Sequence, residues 1–256
     1  MAVWGVVTAL AGPRCGPVPE DSEAPPSALA SVRATGVRWR LGWDASRITR
    51  APDGSWSVTT DLGYRVTVTS GALVTLGLTL HHCEASTRSG WSPRRWLGPS
   101  SAWANHGKEL DPSAVRELLV EDLAALAPRS LAALSVSTRA YCEGHWVLSA
   151  PPLAREAELP VGLGRVTLTL QGSWSRGAAS GPIALTSTLA NGDVVALQSA
   201  TLAPSFEGPI DATLTRSPGS LFDGITFESD GPAAQSWRVL ENLVRGATLR
   251  VERSAR

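Results

Sequence analysis

The stretch VRWRLGW at residues 37–43 decides the fold class, because its large apolar side chains stand at every second position. Val37, Trp39, Leu41 and Trp43 alternate with arginine and glycine. Side chains two residues apart lie on the same face of a β-strand, so this segment has one apolar face and one solvent-exposed face. We therefore predict a half-buried strand.

The same alternation recurs along most of the chain. Ser70-Gly71 separates two such stretches, and Asn191-Gly192 separates two more, so each pair is predicted to form an antiparallel hairpin. About nine short strands of this kind favour a mainly β protein with an antiparallel β-sandwich. The alternating stretches lie at residues 37–43, 64–69, 74–80, 166–170, 183–189, 194–197, 210–214 and 249–251.

Two short helices are predicted as connectors or end-covers of the sandwich. The first is capped by Asp111, begins at Pro112, has an apolar stripe that includes Leu119, and ends at Pro128. The second covers about residues 232–245 and is expected to bury Trp237, Leu240 and Val244 before it ends at a glycine.

Composition excludes several classes of function. Hydrophobic residues make up 43% and charged residues 18%, and 23 basic side chains balance 23 acidic ones, so we expect no nucleic-acid partner and no attraction to an anionic membrane. No apolar stretch is long enough to span a bilayer. The motifs typical of hydrolases, nucleotide-binding enzymes and zinc proteases are missing from the sequence, which predicts a non-enzymatic protein.

The N-terminus predicts export. Residues 1–30 combine an uncharged apolar run, which resembles the core of a signal peptide, with a Pro-rich acidic tether. Cys15 lies between them, so a lipid anchor is one alternative, and a frayed apolar terminus is another. Residues 31–256 are predicted to be a single β-sandwich domain with a loop and helix insertion at about 85–135. The expected location is the periplasm or the cell surface.

Cys83 and Cys142 are predicted to form a disulfide. Each stands at the end or the start of a strand-like stretch, and disulfides are typical of exported proteins. The bond would hold the central strands against the strand that follows the insertion. A zinc site that uses both thiols is the alternative in a reducing compartment.

All four histidines lie close to these cysteines. We take His82, His106 and His145 as candidate metal ligands, because neutral imidazole binds copper and zinc. His81 and His82 are neighbours on a strand and point to opposite faces, so at most one of them is expected at a shared site. The alternative is that these imidazoles only form hydrogen bonds around the disulfide.

A loop rich in tryptophan and arginine offers a second hypothesis. Aromatic rings beside guanidinium groups bind sugars and peptides by stacking, which would make the protein a structural or adhesive surface module for an envelope partner or a glycan. The alternative is that the rings only cover an open end of the sandwich. The residues concerned are Trp91, Trp96, Trp103, Arg94 and Arg95.

Several short motifs resemble those of exported bacterial β-rich proteins of unknown function. They are GYRVTV at 63–68, the loop with His106, RAYC at 139–142 and LFDGI at 221–225. More distantly, the chain is similar to the methanobactin-associated copper-binding (MbnP-like) domain. This resemblance implies a β-sandwich that binds a copper ion through histidine, but it assigns no individual ligand.

Overall fold

The computed structural model describes residues 35–82, 114–115, 117–136, 141–197 and 209–253. Within these residues the chain forms strands, one α-helix and two short 3₁₀ helices. The helix α1 covers Pro232–Arg245, and the 3₁₀ helices cover Leu153–Glu158 and Pro218–Ser220. The strands are β1 (Thr35–Trp43), β2 (Thr49–Arg50), β3 (Trp56–Thr59), β4 (Arg65–His82), β5 (Leu119–Asp122), β6 (Arg129–Val136), β7 (Tyr141–Leu148), β8 (Leu168–Arg176), β9 (Ala179–Ser187), β10 (Asn191–Ala196), β11 (Ile210–Arg216) and β12 (Thr248–Arg253).

The strands form two sheets whose buried side chains join in one hydrophobic core. The four-stranded sheet has the order β12-β11-β1-β6, in which β1 and β11 are parallel and the other pairs antiparallel. The eight-stranded sheet follows β10-β7-β4-β3-β2, with β5 and β8 also paired to β4, and β9 paired to β8. The predicted mainly β, sandwich-like fold is confirmed.

The alternation in β1 predicts its burial correctly. Val37, Trp39 and Leu41 are at most 1% exposed, while Arg38 and Arg40 between them face solvent. Burying a large apolar side chain stabilises a fold by about 1.5–3 kcal/mol, so this face contributes strongly to the core.

The hairpin predicted at Ser70-Gly71 is wrong. Residues on both sides belong to β4, a single strand of 18 residues. Gly71 does not form a turn but lies where β4 approaches the paired strand β8 closely. A Cβ atom on Gly71 would lie 2.8 Å from the carbonyl oxygen of Thr169 on β8. The glycine therefore allows β4 to continue beside its neighbour.

The hairpin predicted at Asn191-Gly192 is also wrong. Both residues lie in β10, which pairs with β7, whereas β9 pairs with β8 across a turn at Gly177. A Cβ atom on Gly192 would lie 2.7 Å from the carbonyl oxygen of Trp146. This glycine therefore permits close strand contact, as Gly71 does.

The first predicted helix is wrong over the residues that the structure describes. Residues 119–122 form β5, and 123–126 form a turn. Leu119, Glu121 and Leu123 are buried at period 2, which is strand periodicity. Glu121 hides this pattern in the sequence, because a glutamate is normally expected on the solvent side. The predicted start of the helix, at residues 111–113, lies outside the described part of the chain.

The second predicted helix is confirmed as α1, which ends at Gly246. Its buried face agrees with the prediction at Leu240 and Val244 but not at Trp237, which is 44% exposed, while Ser236 and Asn242 are buried. Both polar residues have partners: the Ser236 hydroxyl donates to the carbonyl of Pro232 at 2.7 Å, and the Asn242 amide donates to the carbonyl of Asp223 at 2.8 Å.

The predicted leader and tether at residues 1–30 lie outside the described residues, as does most of the predicted insertion. In the part of the chain that is described, no helix combines the length and the apolar character needed to cross a membrane.

Candidate functional site

Two histidines meet where the end of β4 pairs with β7. In the antiparallel register, Thr79 lies opposite His145 and His81 lies opposite Glu143. Directly paired residues and residues two apart share one face of a sheet, so His81 and His145 lie diagonally on the same face. Their rings are in edge-to-face contact, with centroids 5.5 Å apart and an angle of 72° between the planes.

This face is the outer side of the eight-stranded sheet. Leu78, Leu80 and Trp146, which alternate with the two histidines, are at most 1% exposed and point into the core. His81 and His145 are half-buried, and Glu143 is exposed. The imidazoles are therefore held on a rigid, well-packed element and remain accessible from solvent.

The surroundings of His145 favour its neutral form. Burial lowers the pKa of His145 below its ordinary value of 6.5, and the neighbouring His81 ring lowers it further. The Asp193 carboxylate opposes this shift in pKa. Neutral imidazole is the form that binds metal ions, so His145 is suited to act as a nitrogen ligand at neutral pH.

The two imidazoles do not make a complete metal site by themselves. Among the described residues, no group of three or more His, Cys, Asp or Glu side chains is arranged to hold a metal ion. Two nitrogen donors on one sheet face nevertheless fit the ligand preference of copper and zinc.

The predicted ligands are only partly placed by the structure. His145 lies at the site and contacts His81, which was not among the three candidate ligands. His82 is the last residue of β4, but its side chain lies outside the described residues, as does His106. The strand register supplies the missing information, because it determines which histidine on β4 shares a face with His145.

The cysteine prediction is also only partly placed. Cys142 lies half-buried on β7 and is not a free thiol. Cys83 and Cys15 lie outside the described residues, so the Cys83–Cys142 pairing stays a prediction. The register pairs His82 with Tyr141, the residues that directly precede the two cysteines.

The aromatic and arginine residues of the second hypothesis lie outside the described residues. These are Trp91, Trp96, Trp103, Arg94 and Arg95. Binding of a partner or glycan through them stays a prediction.

A second polar cluster surrounds Tyr64, within the motif GYRVTV. The Tyr64 hydroxyl donates to the Glu228 carboxylate, and Arg176 donates to the same carboxylate at 3.0 Å. The guanidinium also lies 4.2 Å from the centre of the Tyr64 ring. Burial raises the pKa of Tyr64, and the hydrogen bond from Tyr64 lowers the pKa of Glu228. These groups satisfy one another, which indicates a structural role.

Comparison with known proteins adds no further assignment. No protein-family model matches the chain, and neither the curated proteins nor the solved structures gave a match. The resemblance to MbnP-like domains is not tested by these comparisons.

Proposed function

We propose that this chain is an exported, non-enzymatic β-sandwich protein that binds a copper ion through His81 and His145. The observation that carries the proposal is the contact between the two imidazole rings on one face of paired strands, with centroids 5.5 Å apart.

The spacing of the rings fits shared coordination. A metal ion lies about 2 Å from each imidazole nitrogen that binds it, so two rings on one ion have centroids about 5–6 Å apart. Because both residues are held by a continuous antiparallel ladder, the backbone already has the separation that such a site needs. Rotation of the side chains alone would then direct both nitrogens to one ion.

The donor type favours copper or zinc over magnesium and calcium. Imidazole suits the later transition metals, whereas magnesium and calcium prefer oxygen ligands. Copper has the highest affinity for nitrogen sites of this kind among the common divalent ions. His82 and His106 are the sequence-based candidates for a further ligand.

Export is proposed on the apolar N-terminal segment and on the predicted Cys83–Cys142 disulfide. Cys142 on β7 is not a free thiol, which supports a disulfide at this position.

Equilibrium dialysis of the full chain against copper(II) tests the proposal. We expect one bound copper per chain, and we expect His81→Ala and His145→Ala each to weaken binding by at least about tenfold, or about 1.4 kcal/mol. Thr79→Ala is the matched control, because Thr79 pairs with His145 on the same face and offers no imidazole. His82→Ala and His106→Ala test the candidate third ligands. Equal affinity of the two histidine variants and the wild type would contradict the proposal.

A further inference from the structure

The segment Leu119–Leu126, which comprises β5 and the turn after it, contacts both sheets of the sandwich. We call this segment the strap. On the side of the eight-stranded sheet, the strap pairs with β4, and the Leu123 amide donates to the carbonyl of Gly71 at 2.9 Å. The buried Trp56 of β3 donates its indole N–H to the carbonyl of Leu123 at 2.7 Å, and Arg50 of β2 donates to the carbonyl of Ala125 at 2.8 Å.

The four-stranded sheet holds the strap through two arginines. Arg129 of β6 donates to the carbonyl of Val120 at 2.9 Å. Arg216 of β11 forms a two-pronged ion pair with Glu121, in which Nη2 donates to Oε1 at 2.8 Å and Nη1 donates to Oε2. Side chains from four strands of the two sheets therefore converge on this one short segment.

The ion pair is fully enclosed in the core. The side chain of Arg216 is 0% exposed and that of Glu121 is 2% exposed. The Arg216 Nε also donates to the carbonyl of Gly42 on β1 at 3.2 Å, and its guanidinium carbon lies 4.1 Å from the centre of the Trp43 ring. On the opposite side, the same carbon lies 5.7 Å from the ring of Trp146 in the eight-stranded sheet.

A contact of this kind restricts motion more than apolar packing does. The hydrophobic effect has no preferred direction and depends mainly on the apolar area removed from water. A two-pronged arginine–carboxylate pair has fixed geometry, and separating it inside the core leaves two uncompensated charges. Neither sheet can move away from the other without breaking this pair.

We propose that the strap couples the two sheets into one cooperative unit through the Glu121–Arg216 pair. The strands of both sheets then open together in a single event. When the pair is removed, the four-stranded sheet opens separately and more often than the eight-stranded sheet, because it has fewer strands and loses its buried ion pair to the strap.

Hydrogen exchange of the full chain at increasing urea tests this coupling. In the wild type, the central peptides of β1 and β11 should exchange at the same rate as those of β4 and β8. In Glu121→Gln, the β1 and β11 peptides should exchange at least about 150-fold faster than the β4 and β8 peptides, which corresponds to the cost of breaking a buried pair. Glu158→Gln is the matched control, because it breaks the exposed Arg155–Glu158 pair and should leave exchange unchanged.

A double variant keeps the test decisive if Glu121→Gln fails to fold. Glu121→Leu combined with Arg216→Met removes both charges, so no buried charge is left without a partner and folding should persist. The proposal expects the two sheets to exchange at different rates in this variant as well. Equal exchange of both sheets in either folded variant would overturn it, because apolar packing alone would then be sufficient to couple them.

Discussion

Asp61 and Asp223 each hold the backbone of the other's loop. The Asp61 amide donates to the Asp223 carboxylate at 3.1 Å, and the Gly224 amide donates to the Asp61 carboxylate at 2.8 Å. This exchange joins the turn between β3 and β4 to the LFDGI segment, which Asn242 of α1 holds from the other side.

Removal of the Asp61 carboxylate should weaken this junction. We expect Asp61→Ala to lower the free energy of unfolding by about 1 kcal/mol, as for the loss of a capping side chain. Asp61→Asn keeps an oxygen that accepts from the Gly224 amide, so it should lose less. Urea denaturation of both variants measures the difference, and an equal loss would show that the charge matters rather than the acceptor.

The close approach of β10 to β7 at Gly192 predicts that a larger side chain there is destabilising. Gly192→Ala should lower the free energy of unfolding by about 1–3 kcal/mol, because the added methyl group meets the carbonyl oxygen of Trp146. Gly36→Ala is the control, since a Cβ atom on Gly36 has no heavy atom within 4 Å. Thermal unfolding compares the two variants. If both behaved alike, the pairing of β10 with β7 would be in question.

The sequence predicts a strand most directly where its buried positions are all apolar. In β1 the alternation of Trp39 and Leu41 with arginine identifies both the strand and its core face. In β5 one of the two buried positions belongs to Glu121, whose charge is compensated by Arg216 in a distant strand. A pattern that assigns charged residues to the surface cannot detect such a pair, and the remaining leucines then have helical spacing.

The two incorrect hairpin predictions arose for a similar reason, because the role of a glycine was misassigned. Gly71 and Gly192 follow polar residues, as turn glycines do, but each permits contact with a neighbouring strand. Strand register decides whether a glycine forms a turn or permits close contact between strands. Register depends on residues that are distant in the sequence, so the local sequence pattern does not determine it. It also decides which histidine on β4 shares a face with His145, so the sequence indicated the region of the site but not its pair.

Protonation of His145 should destabilise the fold. Because burial and His81 lower the pKa of His145 in the native state, the unfolded chain binds this proton more tightly. The stability that neutral His145 contributes to the fold is therefore fully present above the ordinary pKa of 6.5. It is lost as the pH falls from that value towards the lower pKa of His145 in the native state. We expect stability to fall less steeply between these two values in His145→Gln than in the wild type.

Proton NMR of the imidazole ring checks the cause directly. The titration midpoint of His145 should lie below 6.5, and His81→Ala should move it upward, because one of the two causes of the lowered pKa is removed. A midpoint at or above 6.5 in the wild type would contradict the described burial.

The predicted Cys83–Cys142 bond should be found by peptide mapping without reduction. We expect one linked pair of peptides that contains both residues and disappears on reduction. Loss of the bond in Cys142→Ser should lower the free energy of unfolding by about 2–5 kcal/mol. Recovery of an unlinked Cys83 peptide from the oxidised protein would contradict the pairing and weaken the proposal of export.

Electron paramagnetic resonance of the full chain with one equivalent of copper(II) tests the metal site most directly, because nitrogen couplings count the imidazoles on the ion. The account predicts couplings from at least two imidazoles in the wild type and in Thr79→Ala, with one fewer in His81→Ala and in His145→Ala. A spectrum without imidazole nitrogen, or one that neither histidine variant changes, would contradict copper binding at this pair.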